Sequence, residues 1–339
     1  MPPSARRPSL SENPIIRVRE LRKLFPIRRG LISSLFTKED LNLHAVDKVT
    51  FDINQDEVLG LVGESGCGKT TLGRLLIRLI EPTNGEIYFR DTNIVSLSPS
   101  EMKQLRPKMQ IIFQDPYESL NPRMTVLDLV AEPLEVNHLI ENEADKEKKV
   151  AEILESVRLT PPEDFMFRYP HELSGGQRQR IAVARALIIH PDFVVADEPV
   201  SMLDTSTRGE ILNLMMELKQ LTRSYLFITH ELAVARHFCD RIAIMYLGRI
   251  MEMATSDEIV KNPVHPYTRA LLEATPVPNP AARKEKVNIT GEVTSPINPP
   301  RRCRFYSRCL VAKDICSKLE PELVDIGGGH MVACHLNHI

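Results

Sequence analysis

Apolar and polar residues alternate along two stretches near the start of the chain, and this pattern predicts half-buried strands. They are Ile15 to Phe25 and Val49 to Ile53, with a basic, loop-like insertion, Arg28 to Asn42, between them. Val58 to Val62 is continuously apolar, which predicts a buried strand that runs into a glycine-rich turn. The residues after Lys69 have helical spacing as far as Glu81-Pro82.

The middle of the chain, from Met124 to about Tyr169, is amphipathic and has no strand pattern, so it predicts an inserted helical subdomain. On either side, short strands are predicted at Gly85 to Phe89, Met109 to Phe113, Phe193 to Ala196, Tyr225 to Ile228 and Ile242 to Met245, and a helix at Arg208 to Leu221. This alternation predicts an α/β fold with a mostly parallel sheet and helices on both faces. After about Pro263 prolines become frequent, which predicts an extended, loop-rich tail and not a continued sheet.

The length and the net charge of the chain limit the classes of protein to which it can belong. A chain of 339 residues is long enough for one large domain with an appendage, or for two domains. Its 43 Lys and Arg against 45 Asp and Glu give no electrostatic reason to expect nucleic acid or an anionic membrane surface as the main partner. No apolar run approaches a membrane span, and the polar start lacks the apolar core of a signal peptide, so we expect a cytoplasmic chain.

The glycine-rich turn GESGCGKTT, Gly63 to Thr71, fits the pattern G-x-x-x-x-G-K-[ST] between a predicted strand and a predicted helix. In such a loop, backbone N–H groups converge on phosphate oxygens, the lysine reaches the β- and γ-phosphates and the Thr70 hydroxyl can bind Mg²⁺. The candidate nucleotide-binding residues are Gly63, Ser65, Gly66, Cys67, Gly68, Lys69, Thr70 and Thr71. The alternative, a chance glycine-rich turn, is disfavoured by the flanking elements.

Two adjacent acids, Asp197 and Glu198, follow the apolar strand that begins at Phe193. Ligands bind at the carboxyl ends of strands in open α/β sheets, so Asp197 is a candidate Mg²⁺ ligand and Glu198 a candidate base for the attacking water. A solvated acidic turn is the ordinary interpretation of Asp-Glu-Pro. Because a phosphate loop lies upstream, we favour the interpretation of Asp197 and Glu198 as catalytic residues.

Four further segments make the chain resemble the ATP-binding-cassette (ABC) ATPases. Leu173 to Gln177 (LSGGQ) is similar to the signature of that family, Gln114 to its Q-loop residue, Ser201 to Asp204 to its D-loop, and His230 to its switch histidine. The resemblance implies a P-loop NTPase core that binds ATP and Mg²⁺ and pairs head to tail with a second ATPase. Ser174, Gly175, Gly176 and Gln177 would then contact the γ-phosphate held by the partner, with Asp204 nearby, and Gln114 would serve both Mg²⁺ and catalysis. Phe25 lies where the family stacks an aromatic ring on adenine, although it could equally be a core residue.

Other segments resemble the oligopeptide and dipeptide importer branch of this family, namely Pro116 to Arg123 and His265 to Pro276, and the insertion after Arg28 resembles its F-type subunit. The resemblance implies a distinct D-type ATPase partner, two transmembrane permease subunits, an extracellular solute-binding protein, a place on the cytoplasmic face of the membrane and no nucleic acid. This sequence differs from the residues commoner in the family at Thr70, Met202 and Glu231. None of these differences removes a reacting group. The alternatives are a soluble cassette ATPase outside transport, a nucleotide sensor, and an importer of sugars or nickel.

Four of the six cysteines, Cys303, Cys309, Cys316 and Cys334, lie close together near the end of the sequence. Four thiolates suit Zn²⁺ or an iron–sulfur cluster equally well on chemistry, and free or disulfide-bonded thiols are a further alternative. The resemblance to dipeptide-importer ATPases favours a [4Fe-4S] cluster. We interpret the nearby His330, His335 and His338 as surface residues.

These observations predict the following organisation. A polar arm spans residues 1–14, a nucleotide-binding domain spans 15–262 with its helical subdomain at about 115–180, and a C-terminal extension with the four cysteines spans 263–339. The family resemblance adds an antiparallel β subdomain to this α/β core.

Overall fold

The computed structural model describes residues 14–27, 41–274 and 296–337. The chain divides into two compact units. The first unit comprises Met1–Asn54, Leu59–Val95 and Thr229–Ile339, and the second comprises Gln55–Val58 and Ser96–Ile228.

The strands and helices agree in type and order with most of the predicted elements. The strands are β1 (Pro14–Pro26), β2 (Asn42–Asn54), β3 (Val58–Val62), β4 (Asn84–Phe89), β5 (Thr92–Asn93), β6 (Met109–Ile112), β7 (Phe193–Asp197), β8 (Ser224–Thr229), β9 (Arg241–Tyr246), β10 (Arg249–Thr255), β11 (Val324–Asp325) and β12 (Met331–Val332). The helices are α1 (Lys69–Leu76), α2 (Pro99–Leu105), α3 (Pro116–Ser119), α4 (Val126–Val136), α5 (Glu143–Ser156), α6 (Glu163–Met166), α7 (Gly175–Leu187), α8 (Thr205–Glu217), α9 (Leu232–Phe238), α10 (Ser256–Lys261), α11 (Pro266–Ala274) and α12 (Asp314–Lys318). Within the described ranges, none of the helices has the length and apolar character needed to span a bilayer.

The first unit contains an antiparallel sheet in the order β2-β1-β4-β5, which is the antiparallel β subdomain implied by the family resemblance. Strand β2 begins at Asn42, seven positions before the predicted start at Val49. The prediction of its start was wrong because the early part of β2 pairs with the end of β1, where Leu24 lies opposite His44 and Phe25 opposite Leu43. A long partner strand satisfies backbone hydrogen bonds even where the alternation of side chains is weak.

The first unit also contains the strands that support the phosphate loop. Strand β3 pairs in parallel with β9, and β9 pairs antiparallel with β10. The C-terminal extension then adds to the same sheet, because β12 pairs with β10 and β11 pairs with β12. The prediction that the tail does not continue the sheet was therefore wrong. The apolar pair Met331 and Val332 is buried, and it forms this strand between proline-rich loops.

A buried carboxylate joins the extension to β10. Glu252 is fully buried, and its two oxygens accept the backbone N–H groups of Val264, at 2.8 Å, and His265, at 3.0 Å. The ring Nε2 of His330 lies 2.7 Å from the same carboxylate, and His330 is buried. The interpretation of His330 as a surface residue was wrong, because a histidine that is buried in a fold must pair its polar ring atoms.

The other two histidines of the tail differ from His330. The Nε2 of His335 is hydrogen bonded to the carbonyl oxygen of Leu319 at 2.9 Å. His338 lies outside the described residues.

The second unit contains the parallel strands β6, β7 and β8, in the order predicted by the alternation of elements. The inserted helical segment is confirmed as α4, α5 and α6, with no strand between them. Thr125 and Asn142 cap α4 and α5 by accepting backbone N–H groups, as expected of short polar residues at helix starts. The ammonium group of Lys146 pairs with Asp128 at 3.0 Å and with Glu135 at 2.9 Å, which holds α5 against α4.

We predict that Glu252→Gln lowers the free energy of unfolding by about 2 kcal/mol. The amide oxygen can still accept an N–H group, but the amide NH₂ then faces the other backbone donor, and the pair with His330 loses its charge. Urea unfolding measures the difference. Asp257→Asn is the control, since Asp257 forms exposed pairs with Lys261 and Arg236 and should change stability far less than Glu252→Gln does. Equal unfolding midpoints for the two variants would contradict the role given to Glu252.

Candidate nucleotide-binding and hydrolysis site

The phosphate loop lies between β3 and α1, as predicted, and its lysine is bound to the loop itself. The Lys69 ammonium donates to the carbonyl oxygens of Gly63, at 2.8 Å, and Glu64, at 3.1 Å. Lys69 and Cys67 are buried, whereas Ser65 and Gly66 are exposed. Burial raises the pKa of the Cys67 thiol to about 11, so this cysteine is a neutral packing residue at physiological pH.

Two glycines let neighbouring backbone approach the loop closely. A Cβ atom on Gly68 would lie 2.0 Å from the carbonyl oxygen of Ala45, and one on Gly63 would lie 2.2 Å from that of Met245. Gly68 also has a φ of 108°, in the region that favours glycine. The path of the loop therefore excludes every other residue at these two positions. Thr70 and Thr71 continue into the first turn of α1 and are half-buried.

The second unit brings together two of the predicted catalytic residues. Asp197 ends β7 and is almost fully buried, and Glu198 follows it with a φ of 45°. The side-chain Nε2 of Gln114 donates to the Glu198 carboxylate at 3.4 Å. The unusual backbone conformation turns Glu198 out of the strand direction, and such conformations persist where the surrounding structure holds them. Here the N–H of Glu198 donates to the carbonyl oxygen of Ile228 at 3.0 Å.

The signature segment forms the amino-terminal end of α7. The Ser174 hydroxyl accepts the N–H of Gln177 at 3.3 Å, and the Gln177 side chain accepts the N–H of Ser174 at 2.9 Å. The first N–H groups of the helix, including those of Gly175 and Gly176, lie at this end, where anions are favoured, and the Ser174 hydroxyl can also donate a hydrogen bond. A cavity of about 420 Å³ opens beside these residues.

Asp204, the last residue of the D-loop, lies beside the same cavity. Its carboxylate caps α8 and accepts hydrogen bonds from the backbone N–H of Thr207 at 3.0 Å and from the hydroxyl of Ser206 at 2.6 Å. The pKa of Asp204 is well below its ordinary value, chiefly because of the Ser206 hydrogen bond. A Cβ on Gly176 would lie 2.7 Å from the Thr207 methyl group, so the signature and the start of α8 are closely packed.

His230 and Phe25 both lie near the ends of strands. His230 follows β8 with its side chain half exposed, and its Nε2 lies 3.8 Å from a carboxylate oxygen of Glu231. Phe25 is near the end of β1 and is 37 % exposed, so it is not a core residue. The ammonium group of Lys23 lies 5.0 Å from the centre of its ring.

Comparison with known proteins places these features in a family. The model of the family described as ABC transporter matches residues 46–201, and that of the oligopeptide/dipeptide transporter C-terminal region matches residues 251–316. The chain is 46% identical to the oligopeptide transport ATP-binding protein AppF of Bacillus subtilis, over 96% of this chain and 98% of that protein. It is also 46% identical to the dipeptide transport ATP-binding protein DppF of Escherichia coli, over 95% of this chain and 94% of that protein.

The chain belongs to the ABC transporter ATPases. It is an ATPase of the cassette type that carries the oligopeptide/dipeptide transporter C-terminal region. Among solved structures, a dimer of the ATP-binding cassette MJ0796 bound to ADP and phosphate is similar, with a TM-score of 0.62, 29% sequence identity and coverage of 71% of this chain and 98% of that chain.

The four cysteines of this ABC ATPase lie in the C-terminal extension, where the backbone N–H of Cys303 donates to the carbonyl oxygen of Cys316 at 3.0 Å. Burial raises the pKa of the Cys303 thiol to about 12, with smaller contributions from the charges of Cys316, Cys334 and Cys309. None of the six cysteines, all of which lie in the described ranges, forms a disulfide bond. In the part of the chain that the structure describes, no group of three or more His, Cys, Asp or Glu side chains is arranged to hold a metal ion.

Sequence reasoning missed one acid of the ABC ATPase site, Glu64. It lies within the phosphate loop, and its carboxylate is bound to Arg308 of the C-terminal extension. A carboxylate in a loop that binds phosphate indicates that a cation lies nearby. Like charges repel unless a cation neutralises the carboxylate. The identity of that cation depends on residues 244 positions away in the sequence.

We predict that Gly68→Ala abolishes nucleotide binding while the protein remains folded, because the added methyl group overlaps the Ala45 carbonyl and forces the loop to move. Titration with a fluorescent ATP analogue measures binding, and circular dichroism measures folding. Gly209→Ala is the control. Gly209 lies inside α8, and nothing lies within 4 Å of a Cβ atom at this position. The Gly209→Ala variant should therefore bind ATP normally, and its free energy of unfolding should rise by up to about 1 kcal/mol. Normal ATP affinity in Gly68→Ala would contradict the packing argument.

Proposed function

We propose that this chain is the ATP-hydrolysing subunit that energises an importer of dipeptides or oligopeptides. One observation carries the proposal. The nucleotide-binding elements and the oligopeptide/dipeptide transporter C-terminal region occur together in a chain that aligns with peptide-transport ATPases over nearly its full length. The Glu198 carboxylate and His230 are both present, which supports a hydrolytic role over that of a nucleotide sensor.

In this proposal the phosphate loop binds ATP. Lys69 and the N–H groups from Gly63 to Thr71 bind the phosphates, and the exposed ring of Phe25 stacks on adenine. The Thr70 hydroxyl, the Gln114 amide and the Asp197 carboxylate are oxygen donors of the kind that Mg²⁺ prefers, so they would hold the ion. Bound Mg²⁺ would neutralise charge that develops on the phosphates.

Glu198 would accept a proton from the attacking water, with Gln114 holding the carboxylate in place, and His230 would contact the γ-phosphate. Ser174, Gly175, Gly176 and Gln177 would complete the site of a partner ATPase, with Asp204 fixing the start of α8 beside them. The hydroxyl hydrogen of Ser174 and the helix N–H groups suit a phosphate presented by another chain.

We further propose that the partner is a distinct D-type ATPase and that the two bind two membrane-spanning permease subunits on the cytoplasmic face. An extracellular solute-binding protein would deliver the peptide. The helical segment α4 to α6 and the loop that contains Gln114 would transmit closure of the ATPase pair to the permeases.

The four cysteines fit a [4Fe-4S] cluster by donor type and by their common location. Zn²⁺ holds four sulfurs at about 2.3 Å, which requires thiols packed tightly around one ion. Four thiolates are equally the ligand set of an iron–sulfur cluster, and the resemblance to dipeptide-importer ATPases favours the cluster over zinc. We propose that Cys303, Cys309, Cys316 and Cys334 hold such a cluster, which would contribute stability to the extension and take no part in hydrolysis.

We predict that Glu198→Gln binds ATP, holds the two ATPases together and loses at least about 100-fold in turnover, because the loop remains but water activation is lost. Phosphate release measures turnover, and size-exclusion chromatography with ATP detects the trapped pair. Lys69→Ala should instead lose ATP affinity, and the exposed Glu152→Gln should behave as wild type.

The same variants test the transported solute. In cells that lack the gene, the wild-type chain should restore uptake of a labelled tripeptide and Glu198→Gln should not. Restored uptake of a sugar or nickel in place of the peptide would contradict the peptide proposal and leave the ATPase assignment standing.

We predict that protein purified without oxygen contains about four irons per chain and is brown. Cys309→Ser should lose the iron and the colour, because one of four ligands is gone. Cys239→Ser should keep both, since this buried cysteine lies apart from the extension in the sequence. Stoichiometric zinc without iron would show that the cluster proposal is wrong.

A further inference from the structure

The acid of the phosphate loop is held by a buried arginine of the C-terminal extension. The Arg308 guanidinium donates to both carboxylate oxygens of Glu64, at 2.8 and 2.9 Å. Arg308 is only 7% exposed, so the pair is partly withdrawn from solvent. A bidentate pair of this kind has a defined geometry and is stronger than a single contact.

The backbone of Glu64 is held as well. Its N–H donates to the hydroxyl of Tyr267 at 3.0 Å, and its carbonyl oxygen accepts from the Lys69 ammonium at 3.1 Å. Tyr267 is fully buried and belongs to the His265-Pro266-Tyr267 segment at the start of α11. One residue of the loop is therefore bound at its side chain, its N–H and its carbonyl group.

Aromatic packing fixes the position of Arg308. The ring of Phe305 lies edge-on to Tyr246, at 5.4 Å between centroids, and 5.4 Å from the ring of Tyr267. The guanidinium also donates to the Tyr246 hydroxyl at 3.3 Å. Arg308 lies in the stretch between Cys303 and Cys309, so its position depends on how that stretch is folded.

The charge of Glu64 opposes the function of the loop in which it lies. A carboxylate within a phosphate-binding loop repels an incoming polyanion, and the repulsion is greater where solvent is partly excluded. Arg308 neutralises this charge with a group that remains protonated at every physiological pH.

We propose that Arg308 is a positioning residue of the ATP site, through which the folded C-terminal extension neutralises Glu64 and sets the affinity of the phosphate loop for nucleotide. This inference rests on the proposed role of the loop in binding ATP. Under this inference the extension takes a direct part in nucleotide binding. That role is separate from the holding of any group by its cysteines.

The first test is Arg308→Gln in the full chain. Its affinity for ATP carrying an N-methylanthraniloyl fluorophore should fall about tenfold, a size usual for coupled sites. The KM for ATP should rise in parallel while kcat changes less than about twofold, because contacts that bind substrate and transition state equally affect KM alone. The control is Arg301→Gln, which removes an exposed arginine of the same segment.

The second test separates neutralisation from simple loss of structure. In Glu64→Gln/Arg308→Gln the unpaired charge is gone, so affinity should recover to within about threefold of wild type. If Arg308→Gln does not fold, Arg308→Lys serves in its place, since lysine keeps the charge but loses the bidentate geometry. Its affinity for the ATP analogue should be about two- to fivefold weaker than that of wild type.

The outcomes distinguish this inference from the proposed function. If Arg308→Gln, or its lysine substitute, binds ATP as tightly as Arg301→Gln and wild type, or if the double variant is no better than Arg308→Gln, the positioning role is wrong. If Lys69→Ala also binds as tightly as wild type, the assignment of the phosphate loop itself fails.

Discussion

Two backbone carbonyl groups, those of Ala45 and Met245, lie against the phosphate loop at distances that only glycine permits. They belong to β2 and β9, so the loop conformation depends on an antiparallel sheet and on the strand that is parallel to β3. Packing of backbone against backbone leaves no side chain that can adjust, and the cost of a misplaced atom is therefore high. The Lys69 ammonium and the convergent N–H groups have their positions because this packing holds.

The C-terminal extension is stabilised by charge pairs more than by its own regular structure. Its strands β11 and β12 have two residues each, too few to be stable without the sheet they join. Arg304 pairs with Asp47 and Glu320, and Glu320 also accepts from Arg249 at 2.6 Å. Removing one member of a buried pair leaves an uncompensated charge, so each pair makes the position of the extension specific.

The signature and the D-loop each lead into a helix that begins with a side-chain cap. Ser174 and Asp204 each satisfy an amino-terminal N–H group of their own helix, and Gly176 lets the start of α8 pack closely against the signature. These caps stabilise the starts of both helices, and the N–H groups at a helix start are also groups that favour anions. In the first unit the Glu64 and Arg308 pair fixes one residue of the phosphate loop, since both carboxylate oxygens of Glu64 accept from the guanidinium.

Local pattern in the sequence determined most of the elements and the candidate residues. Alternation of apolar residues identified β1, the apolar run identified β3, and the spacing of glycine, lysine and threonine identified the phosphate loop, because these depend on neighbours in the chain. Gln114, Glu198 and Asp204 were also selected from the sequence alone. In the structure Gln114 pairs with Glu198, and Asp204 caps α8. Only the tertiary structure decided that β12 joins β10, that His330 is buried against Glu252, and that Arg308 neutralises Glu64. Each of these joins residues more than 70 positions apart, and the partner of a buried charge is set by how distant segments pack and not by the residues beside it.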